Sequence, residues 1–245
     1  MPTRIMTALH ITQHGRGKPL VLFHGWGFDS QIWMSLLPEL IDRYRVYLVD
    51  LPGFGRSPYL AWDDFKLNLL MQLPQQFAVI GWSMGGLLAT RLSIEAPERV
   101  TQLMNVASSP RFVETTNWAG IESASFDAFY DQLRIDPDQT RRHFIKAQLQ
   151  DLPISPTWFT EPPSELGLRQ GLDWLLTWDL RPLLSQLRLP VCYVFGRLDA
   201  IVSRHTMSAM QMSYPDFSYQ MIRKSAHAPF LSHQDEFLTI LYEFI

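Results

Sequence analysis

The sequence predicts an α/β fold in which a mostly parallel central sheet carries helices on both faces. Two observations predict it. Short apolar runs rich in β-branched residues recur along the chain, and between them lie segments whose apolar residues recur at helical intervals. Strands that are buried on both faces form continuous apolar runs, so this pattern indicates parallel strands joined by crossover helices.

The predicted strands and helices alternate in the first part of the chain. The strands cover residues 19–24, 45–50, 76–81, 100–107, 190–196 and 218–222. The helical patterns that accompany them span residues 30–44, 62–73, 87–96 and 235–244. Because apolar residues recur every three or four positions in these helical segments, each one presents an apolar face to the sheet.

Residues 112–178 do not follow this alternation. Strand-like runs are absent there, aromatic and acidic residues interleave, and four prolines interrupt the pattern: Pro153, Pro156, Pro162 and Pro163. The strand pattern resumes at Pro190, so the segment interrupts one sheet and does not separate two domains. We therefore predict one continuous unit, with a core formed by residues 1–111 and 179–245 and a helical lid insertion formed by residues 112–178.

Composition excludes several classes of function. The 245 residues include 21 Lys and Arg against 24 Asp and Glu, a formal net charge of −3, whereas nucleic-acid-binding domains are ordinarily basic. Cys192 is the single cysteine, so neither an intramolecular disulfide nor a cysteine-based zinc cluster can form, and a reducing compartment fits best. The sequence has no run of about 18 apolar residues that would span a bilayer. We expect a cytoplasmic protein that binds neither nucleic acid nor membrane, with a monomer as the working hypothesis.

A G-x-S-x-G segment, Gly81-Trp82-Ser83-Met84-Gly85, lies between a predicted strand and a predicted helix. In a nucleophile elbow the serine occupies a strained strand-to-helix turn, and the residues two before and two after it are small because strand and helix approach closely. Gly81 and Gly85 meet that requirement. The segment therefore makes Ser83 the candidate nucleophile.

A second turn, His24-Gly25-Trp26-Gly27, ends the first predicted strand. A serine hydrolase needs two hydrogen-bond donors for the oxyanion of its tetrahedral intermediate, and backbone amides at such turns supply them. We predict that the backbone amides of Trp26 and Met84 form this oxyanion hole. We expect His24 to be a structural residue of the turn.

Ser83 also needs a general base, and the base needs an orienting carboxylate, because an unactivated hydroxyl is a poor nucleophile. In serine hydrolases built on an α/β sheet, these residues follow the order Ser, Asp, His along the chain. His227 lies in a loop directly after the last predicted strand, and Asp199 follows the strand before it. We predict that these two residues complete the triad. Other acids and histidines are less well placed: Asp179, Asp216, His205 and His233, of which the last should cap a helix or lie on the surface.

This chemistry requires neither a metal nor a cofactor. The sequence has no H-E-x-x-H motif and no P-loop, and its glycines do not match the dinucleotide-binding pattern G-x-G-x-x-G. We therefore expect catalysis by side chains and backbone amides alone.

Five segments resemble one family. They are residues 24–27 (HGWG), 50–57 (DLPGFGRS), 81–83 (GWS), 106–110 (VASSP) and 226–230 (AHAPF). Together they resemble the BioH family, the pimeloyl-[acyl-carrier protein] methyl ester esterases of biotin synthesis. The resemblance implies an α/β-hydrolase fold and hydrolysis of the methyl ester of a pimeloyl chain attached to acyl carrier protein. It implies that Ser83 attacks the ester carbonyl, that His227 transfers the proton to methanol, and that Asp199 orients the imidazole.

The resemblance also implies which residues bind the substrate. They include Trp26, Ser83, Met84 and His227. A lid segment of the family with the pattern F-x-x-x-Q corresponds here to Phe144, Ile145, Lys146, Ala147 and Gln148.

Recognition of an acidic carrier protein requires a basic patch beside the pocket. Arg141, Arg142 and Lys146 are the candidate docking residues, and the last two are spaced to share one helical face. Acidic residues nevertheless outnumber basic ones across residues 112–178, so the patch is local.

The triad alone leaves other functions open. A general short-acyl esterase, a thioesterase and a carbon–carbon bond hydrolase can all use the same three residues. A non-catalytic ligand receptor could keep the pocket, although it would have no need for all three triad residues.

Overall fold

The computed structural model describes residues 8–150 and 152–245. Residues 1–7 of the predicted core and Asp151 of the predicted lid lie outside the described residues. The fold is built on a seven-stranded sheet with the order β1-β3-β2-β4-β5-β6-β7, in which only β1 is antiparallel to its neighbour. The strands are β1 Ile11–Gly15, β2 Lys18–Phe23, β3 Tyr44–Val49, β4 Phe77–Trp82, β5 Val100–Val106, β6 Val191–Gly196 and β7 Ser218–Ile222.

The prediction of a mostly parallel sheet is confirmed, and each of the six predicted strands is present within one or two residues at its ends. The edge strand β1 was not predicted. β1 lies at the edge of the sheet and pairs with β3 alone, so its residues are only partly buried. Its short sequence, ITQHG, therefore lacks the continuous apolar run that identifies the inner strands.

The helices surround this sheet on both faces. They are α1 Leu37–Leu40, α2 Trp62–Gln72, α3 Met84–Glu95, α4 Ser123–Ile135, α5 Pro137–Leu149, α6 Glu165–Thr177, α7 Arg204–Ser213, α8 Pro229–Ser232 and α9 Gln234–Phe244. Short 3₁₀ turns cover Ser30–Trp33, Pro156–Trp158 and Arg181–Gln186. None of the helices within the described residues is long and apolar enough to cross a membrane.

The prediction of one helix over residues 30–44 was wrong. This segment forms a 3₁₀ turn and the four-residue helix α1, and Tyr44 already belongs to β3. Pro38 stands in the first turn of α1, where its missing amide is tolerated, but a longer helix running through it would lose a hydrogen bond. Most apolar residues of the segment are buried all the same, because the 3₁₀ turn and α1 each present them to the core.

Alternate residues of the inner strands pack into two hydrophobic clusters, one on each face of the sheet. In β4, Val79 belongs to the cluster that includes helix α3, and Ile80 belongs to the cluster that includes Phe230 and Phe237. Both residues are at most 1% exposed. Burial on both faces explains why β4 is a continuous apolar run.

The segment 112–178 carries helices α4, α5 and α6, and among its described residues none belongs to the sheet. Backbone hydrogen bonds join it to the loop that follows β3: the amide of Ser164 donates to the carbonyl of Gly53 at 2.8 Å. At the base of the segment, Arg111 and Asp179 form an ion pair at 3.1 Å. These contacts place the three helices over the carboxyl ends of the strands.

We predict that truncating a side chain in the sheet core destabilises the fold strongly. Leu103 in β5 is fully buried, so Leu103→Ala should lower the free energy of unfolding by about 2–5 kcal/mol through lost burial and the cavity left behind. Met71 in α2 is 66% exposed, so Met71→Ala should change that free energy by no more than about 0.5 kcal/mol. Urea unfolding followed by circular dichroism measures both, and equal effects of the two substitutions would contradict the assignment of this core.

Candidate active site

Ser83 lies at the sharp turn between β4 and α3. Its φ of 55° and ψ of −119° fall outside the regions that L-residues normally occupy. A Cβ atom on Gly81 would lie 2.3 Å from the carbonyl oxygen of Gly85, and one on Gly85 would lie 2.5 Å from the carbonyl oxygen of Phe23. Only glycine fits at these two positions, and this close crossing presents the Ser83 hydroxyl at the carboxyl end of the sheet.

Hydrogen bonds on both sides of Ser83 hold the turn. The Ser83 amide donates to the carbonyl of Val106 at 2.9 Å, and the hydroxyl of Ser108 donates to the carbonyl of Ser83 at 2.7 Å. Between these partners, Ala107 has a positive φ of 46°. The VASSP segment is therefore a second strained turn that packs against the first.

The predicted acid and base reach Ser83 through a continuous hydrogen-bond chain. His227 Nε2 lies 2.9 Å from Ser83 Oγ, and His227 Nδ1 lies 2.8 Å from Asp199 Oδ2. The other oxygen of Asp199 accepts hydrogen bonds from the amides of Ile201 and Val202 at 2.8 and 3.0 Å. All three predicted residues are at most 5% exposed. The arrangement can transfer a proton from the serine hydroxyl to an imidazole whose orientation is fixed by the carboxylate.

The predicted oxyanion-hole residues flank the same position. In the described part of the chain, the backbone amides of Trp26 and Met84 donate to no other protein group. The amide of Met84 opens helix α3, where the first amides have no partner in the helix. The indole Nε1 of Trp26 donates to the carbonyl of Leu168 at 2.9 Å, and Gln148 Nε2 donates to the carbonyl of Trp26 at 3.2 Å. The side chain of Gln148 and the carbonyl of Leu168 thus hold the turn that carries the Trp26 amide.

His24 has the structural position that the sequence predicts. It is fully buried, its Nε2 accepts a hydrogen bond from the amide of Leu51 at 2.9 Å, and its Nδ1 donates to the carbonyl of Gly25 at 2.8 Å. Burial lowers the pKa of the imidazole, although the Gly25 carbonyl and the carboxylates of Asp50 and Asp29 oppose this shift. His24 is therefore a neutral link between the β2 and β3 loops.

An almost wholly apolar cavity of about 170 Å³ opens above Ser83. Apart from Ser83 itself, Ser125 is the one polar side chain among its lining residues in the described part of the chain. The remaining lining residues are Trp26, Phe112, Ile121, Phe126, Phe129, Phe144, Leu172, Leu175 and Ile201. The sequence predicted Trp26 and Phe144 at the site and missed the others. Phe126, Phe129, Leu172 and Leu175 lie on α4 and α6, whose apolar periodicity indicates a buried face but not a cavity, and Phe112, Ile121 and Ile201 lie outside the helices.

Within the described residues, no group of three or more His, Cys, Asp or Glu side chains could hold a metal ion. The site is composed of a hydroxyl, an imidazole, a carboxylate and backbone amides.

Comparison with known proteins agrees with this geometry. A family model described as the alpha/beta hydrolase fold matches residues 18–234. A relative from Legionella pneumophila (strain Lens), named pimeloyl-[acyl-carrier protein] methyl ester esterase, is 50% identical over 97% of this chain and 99% of its own length. A relative of the same name from Aliivibrio salmonicida (strain LFI1238) is 39% identical over 98% of this chain and 96% of its own length. The chain belongs to this esterase family of α/β hydrolases.

Solved structures extend the likeness of the fold beyond the esterase family. An esterase from Exiguobacterium antarcticum has a TM-score of 0.88 at 20% identity and covers 96% of this chain and 94% of its own. A bromoperoxidase from Bacillus anthracis has a TM-score of 0.87 at 24% identity, with the same coverage. At these identities the comparison shows the α/β-hydrolase fold alone.

The five residues 144–148, to which the resemblance assigns substrate binding, do not all face the cavity. Phe144 lines the cavity, and Gln148 is fully buried against the carbonyl of Trp26. Ile145 instead packs into the cluster on the other face of the sheet, and Lys146 and Ala147 are exposed. Consecutive residues of a helix point in different directions, so a five-residue segment cannot face one cavity.

The three candidate docking residues also differ. Arg142 and Lys146 are exposed on α5. The Nε of Arg141 donates to the carbonyl of Gly27 at 2.7 Å, and its guanidinium lies 4.8 Å from the ring centroid of Phe159. Arg141 therefore supports the turn that follows Trp26.

We predict that His24 makes stability depend on pH. Because its pKa is lower in the folded state than in the unfolded chain, the unfolded chain binds more protons, and the free energy of unfolding decreases as the pH falls below about 6.5. In His24→Asn this dependence should weaken by up to about 1.4 kcal/mol per pH unit between about pH 7 and pH 5. Urea unfolding across this range measures it.

The exposed His205 provides the matched control for this prediction. His205→Asn should leave the slope of the unfolding free energy against pH unchanged. An unchanged slope in His24→Asn would show that the buried imidazole does not cause the dependence.

Proposed function

We propose that the protein is a serine carboxylesterase that hydrolyses the methyl ester of pimeloyl-acyl carrier protein methyl ester, releasing pimeloyl-acyl carrier protein and methanol, in biotin biosynthesis. One observation carries the proposal: Ser83, His227 and Asp199 form a hydrogen-bond chain beneath an apolar cavity. This site lies in a chain that is 50% identical to an esterase with that name.

In the first half of the proposed reaction, Ser83 Oγ attacks the ester carbonyl while His227 Nε2 accepts the hydroxyl proton. The 2.9 Å contact between these atoms supports this transfer. The carboxylate of Asp199 holds the Nδ1–H tautomer and stabilises the imidazolium that forms. Collapse of the tetrahedral intermediate breaks the bond to the methoxy oxygen, which takes the proton from His227 and leaves as methanol.

In the second half, His227 removes a proton from water, and the resulting hydroxide attacks the acyl-serine carbonyl. Collapse then breaks the bond to Ser83 Oγ, which recovers its proton from His227, and the new carboxylic acid leaves and loses its proton to solvent. The free amides of Trp26 and Met84 are the proposed donors to the oxyanion in both halves, and each such donor is worth about 2.7–4 kcal/mol in the transition state.

The walls of the cavity suit an acyl chain. Aromatic and aliphatic side chains surround the space above Ser83, so each methylene that enters gains about 0.8 kcal/mol from burial. Phe129, Phe144 and Leu172 are among these walls and are proposed to bind the pimeloyl methylenes. The ester carbonyl then lies at the polar end, beside Ser83.

We propose that the carrier protein docks beside helix α5. Arg142 and Lys146 are exposed one turn apart and have no carboxylate partner among the described residues, so both cations are available to an acidic surface. Arg141 contributes through the turn at Gly27, to which its side chain is bonded.

We also propose that the enzyme acts as a cytoplasmic monomer. The hydrogen-bonded site is complete within one chain, and the single cysteine, Cys192, is buried and unpaired. A soluble carrier substrate is consistent with the cytoplasmic location and with the monomeric state.

We predict that Ser83→Ala abolishes hydrolysis of p-nitrophenyl butyrate, with a loss of more than about 10⁴-fold in kcat, because no other hydroxyl is hydrogen-bonded to His227 among the described residues. The melting temperature should stay close to that of the wild type. Ser208 is exposed on α7, and Ser208→Ala should retain full activity. Persistent turnover by Ser83→Ala would refute the nucleophile assignment.

The physiological reaction is tested by complementation. The gene should restore growth without biotin to a bacterial strain that lacks its own pimeloyl-acyl carrier protein methyl esterase, whereas the Ser83→Ala gene should not. No growth from the wild-type gene, combined with good activity on short esters, would favour a general short-acyl esterase.

We predict that Arg142→Glu/Lys146→Glu lowers kcat/KM on the carrier-bound methyl ester by about tenfold or more, through repulsion of the acidic carrier. The same variant should hydrolyse free monomethyl pimelate at the wild-type rate. Lys18 and Arg45 are exposed at the opposite end of the sheet, so Lys18→Glu/Arg45→Glu is the charge-matched control. Equal losses on carrier-bound and free esters would contradict docking at α5.

A further inference from the structure

Trp82 is the last residue of β4 and directly precedes Ser83, yet it does not line the cavity above the serine. Because successive side chains of a strand point to opposite faces, its ring lies on the other face of the sheet from the Gly81–Gly85 crossing. There the ring is fully buried. The substrate-binding cavity therefore does not explain why a tryptophan stands at this position.

The indole of Trp82 is hydrogen-bonded to the loop that carries His227. Its Nε1 donates to the backbone carbonyl of His227 at 2.7 Å, and no backbone amide in the described residues donates to that carbonyl. The neighbouring carbonyls have other partners: that of Ser225 accepts from the amide of Leu198 at 2.9 Å, and that of Ala228 accepts from the amide of Leu231 at 3.1 Å. Among the described residues, the indole N–H of Trp82 is thus the donor that holds the backbone carbonyl of His227.

The same ring also borders the oxyanion turn. A Cβ atom on Gly25 would lie 2.9 Å from Cε3 of Trp82, so the turn rests directly on the indole. The ring centroid of Phe28, which follows the turn, lies 5.0 Å from that of Trp82. One rigid side chain therefore contacts the segments that carry the proposed base and the proposed first oxyanion donor.

We propose that Trp82 is a positioning residue: its indole N–H holds the His227 backbone so that His227 Nε2 stays within hydrogen-bond distance of Ser83 Oγ. The proposal rests on the esterase function proposed above. Catalytic rates are sensitive to this geometry, since a displacement of about 1 Å can cost about a hundredfold. Phenylalanine could fill much of the same space, but it has no group that could bond to the His227 carbonyl.

Trp33 separates this role from simple packing. It is also fully buried, and its ring centroid lies 4.2 Å from that of Phe230, which Trp82 contacts at 5.2 Å. The indole N–H of Trp33 has no hydrogen-bond partner among the described residues. Removing the N–H from Trp82 breaks a hydrogen bond, whereas removing it from Trp33 breaks none. The two variants therefore separate the effect of the hydrogen bond from the effect of changing a buried ring in the same cluster.

The test replaces Trp82 by site-specific incorporation of β-(3-benzothienyl)alanine, in which sulfur takes the place of the indole N–H and the ring shape is kept. We expect kcat on p-nitrophenyl butyrate to fall by about tenfold to a hundredfold, with KM within about twofold of the wild type. The far-downfield proton resonance of His227 Nδ1–H should shift or broaden. The same replacement at Trp33 should leave kcat and the resonance unchanged.

Two kinetic results would overturn the proposal: a kcat within about twofold of the wild type at position 82, or equal losses of kcat at positions 82 and 33. An unchanged His227 resonance in the Trp82 variant would overturn it as well. That resonance needs no substrate, so positioning by Trp82 is tested even if the pimeloyl ester proves not to be the substrate. Melting temperatures identify any variant whose loss comes from unfolding.

Discussion

The close crossing of β4 and α3 at Ser83 is the constraint on which the rest of the site depends. Gly81 and Gly85 let two backbones meet at a distance that no side chain would permit. The conformation of Ser83 costs on the order of 1–3 kcal/mol, and the surrounding bonds from Val106 and Ser108 keep it in place. Without this crossing, the Ser83 hydroxyl would not project above the sheet toward His227.

The two parts of the chain contribute different things to the site. The core positions the serine, the histidine and the aspartate at the ends of β4, β7 and β6. The segment 112–178 supplies most of the apolar walls and also holds Trp26, through the side chain of Gln148 and the carbonyl of Leu168. The proposed oxyanion hole is therefore shared: the Met84 amide belongs to the core helix, and the Trp26 amide is held in position from above.

Much of the fold follows from the sequence, because strands buried on both faces leave an apolar signature and sharp turns require glycine. Ser83, Asp199 and His227 could be placed near one another because the carboxyl ends of parallel strands meet at one edge of the sheet. Their catalytic roles stay predictions. The cavity walls could not be predicted, since they depend on how α4, α5 and α6 cross one another. The segment 144–148 illustrates the limit: a family pattern identified five residues, and helical geometry turned one toward the cavity and another toward Trp26.

Hydrogen bonds to the core anchor one part of the insertion more firmly than another. Thr160 donates from its amide and hydroxyl to the buried carboxylate of Asp29, and Ser164 is bonded to the Gly53 carbonyl, so the start of α6 is anchored to two core loops. In the part of the chain that the structure describes, helix α4 makes no hydrogen bond to those two loops, yet it supplies Ser125, Phe126 and Phe129 to the cavity. Part of the cavity wall is therefore carried by a helix that these loops do not anchor. Substitutions on α4 can change the width of that wall while the hydrogen bonds among Ser83, His227 and Asp199 beneath it stay intact.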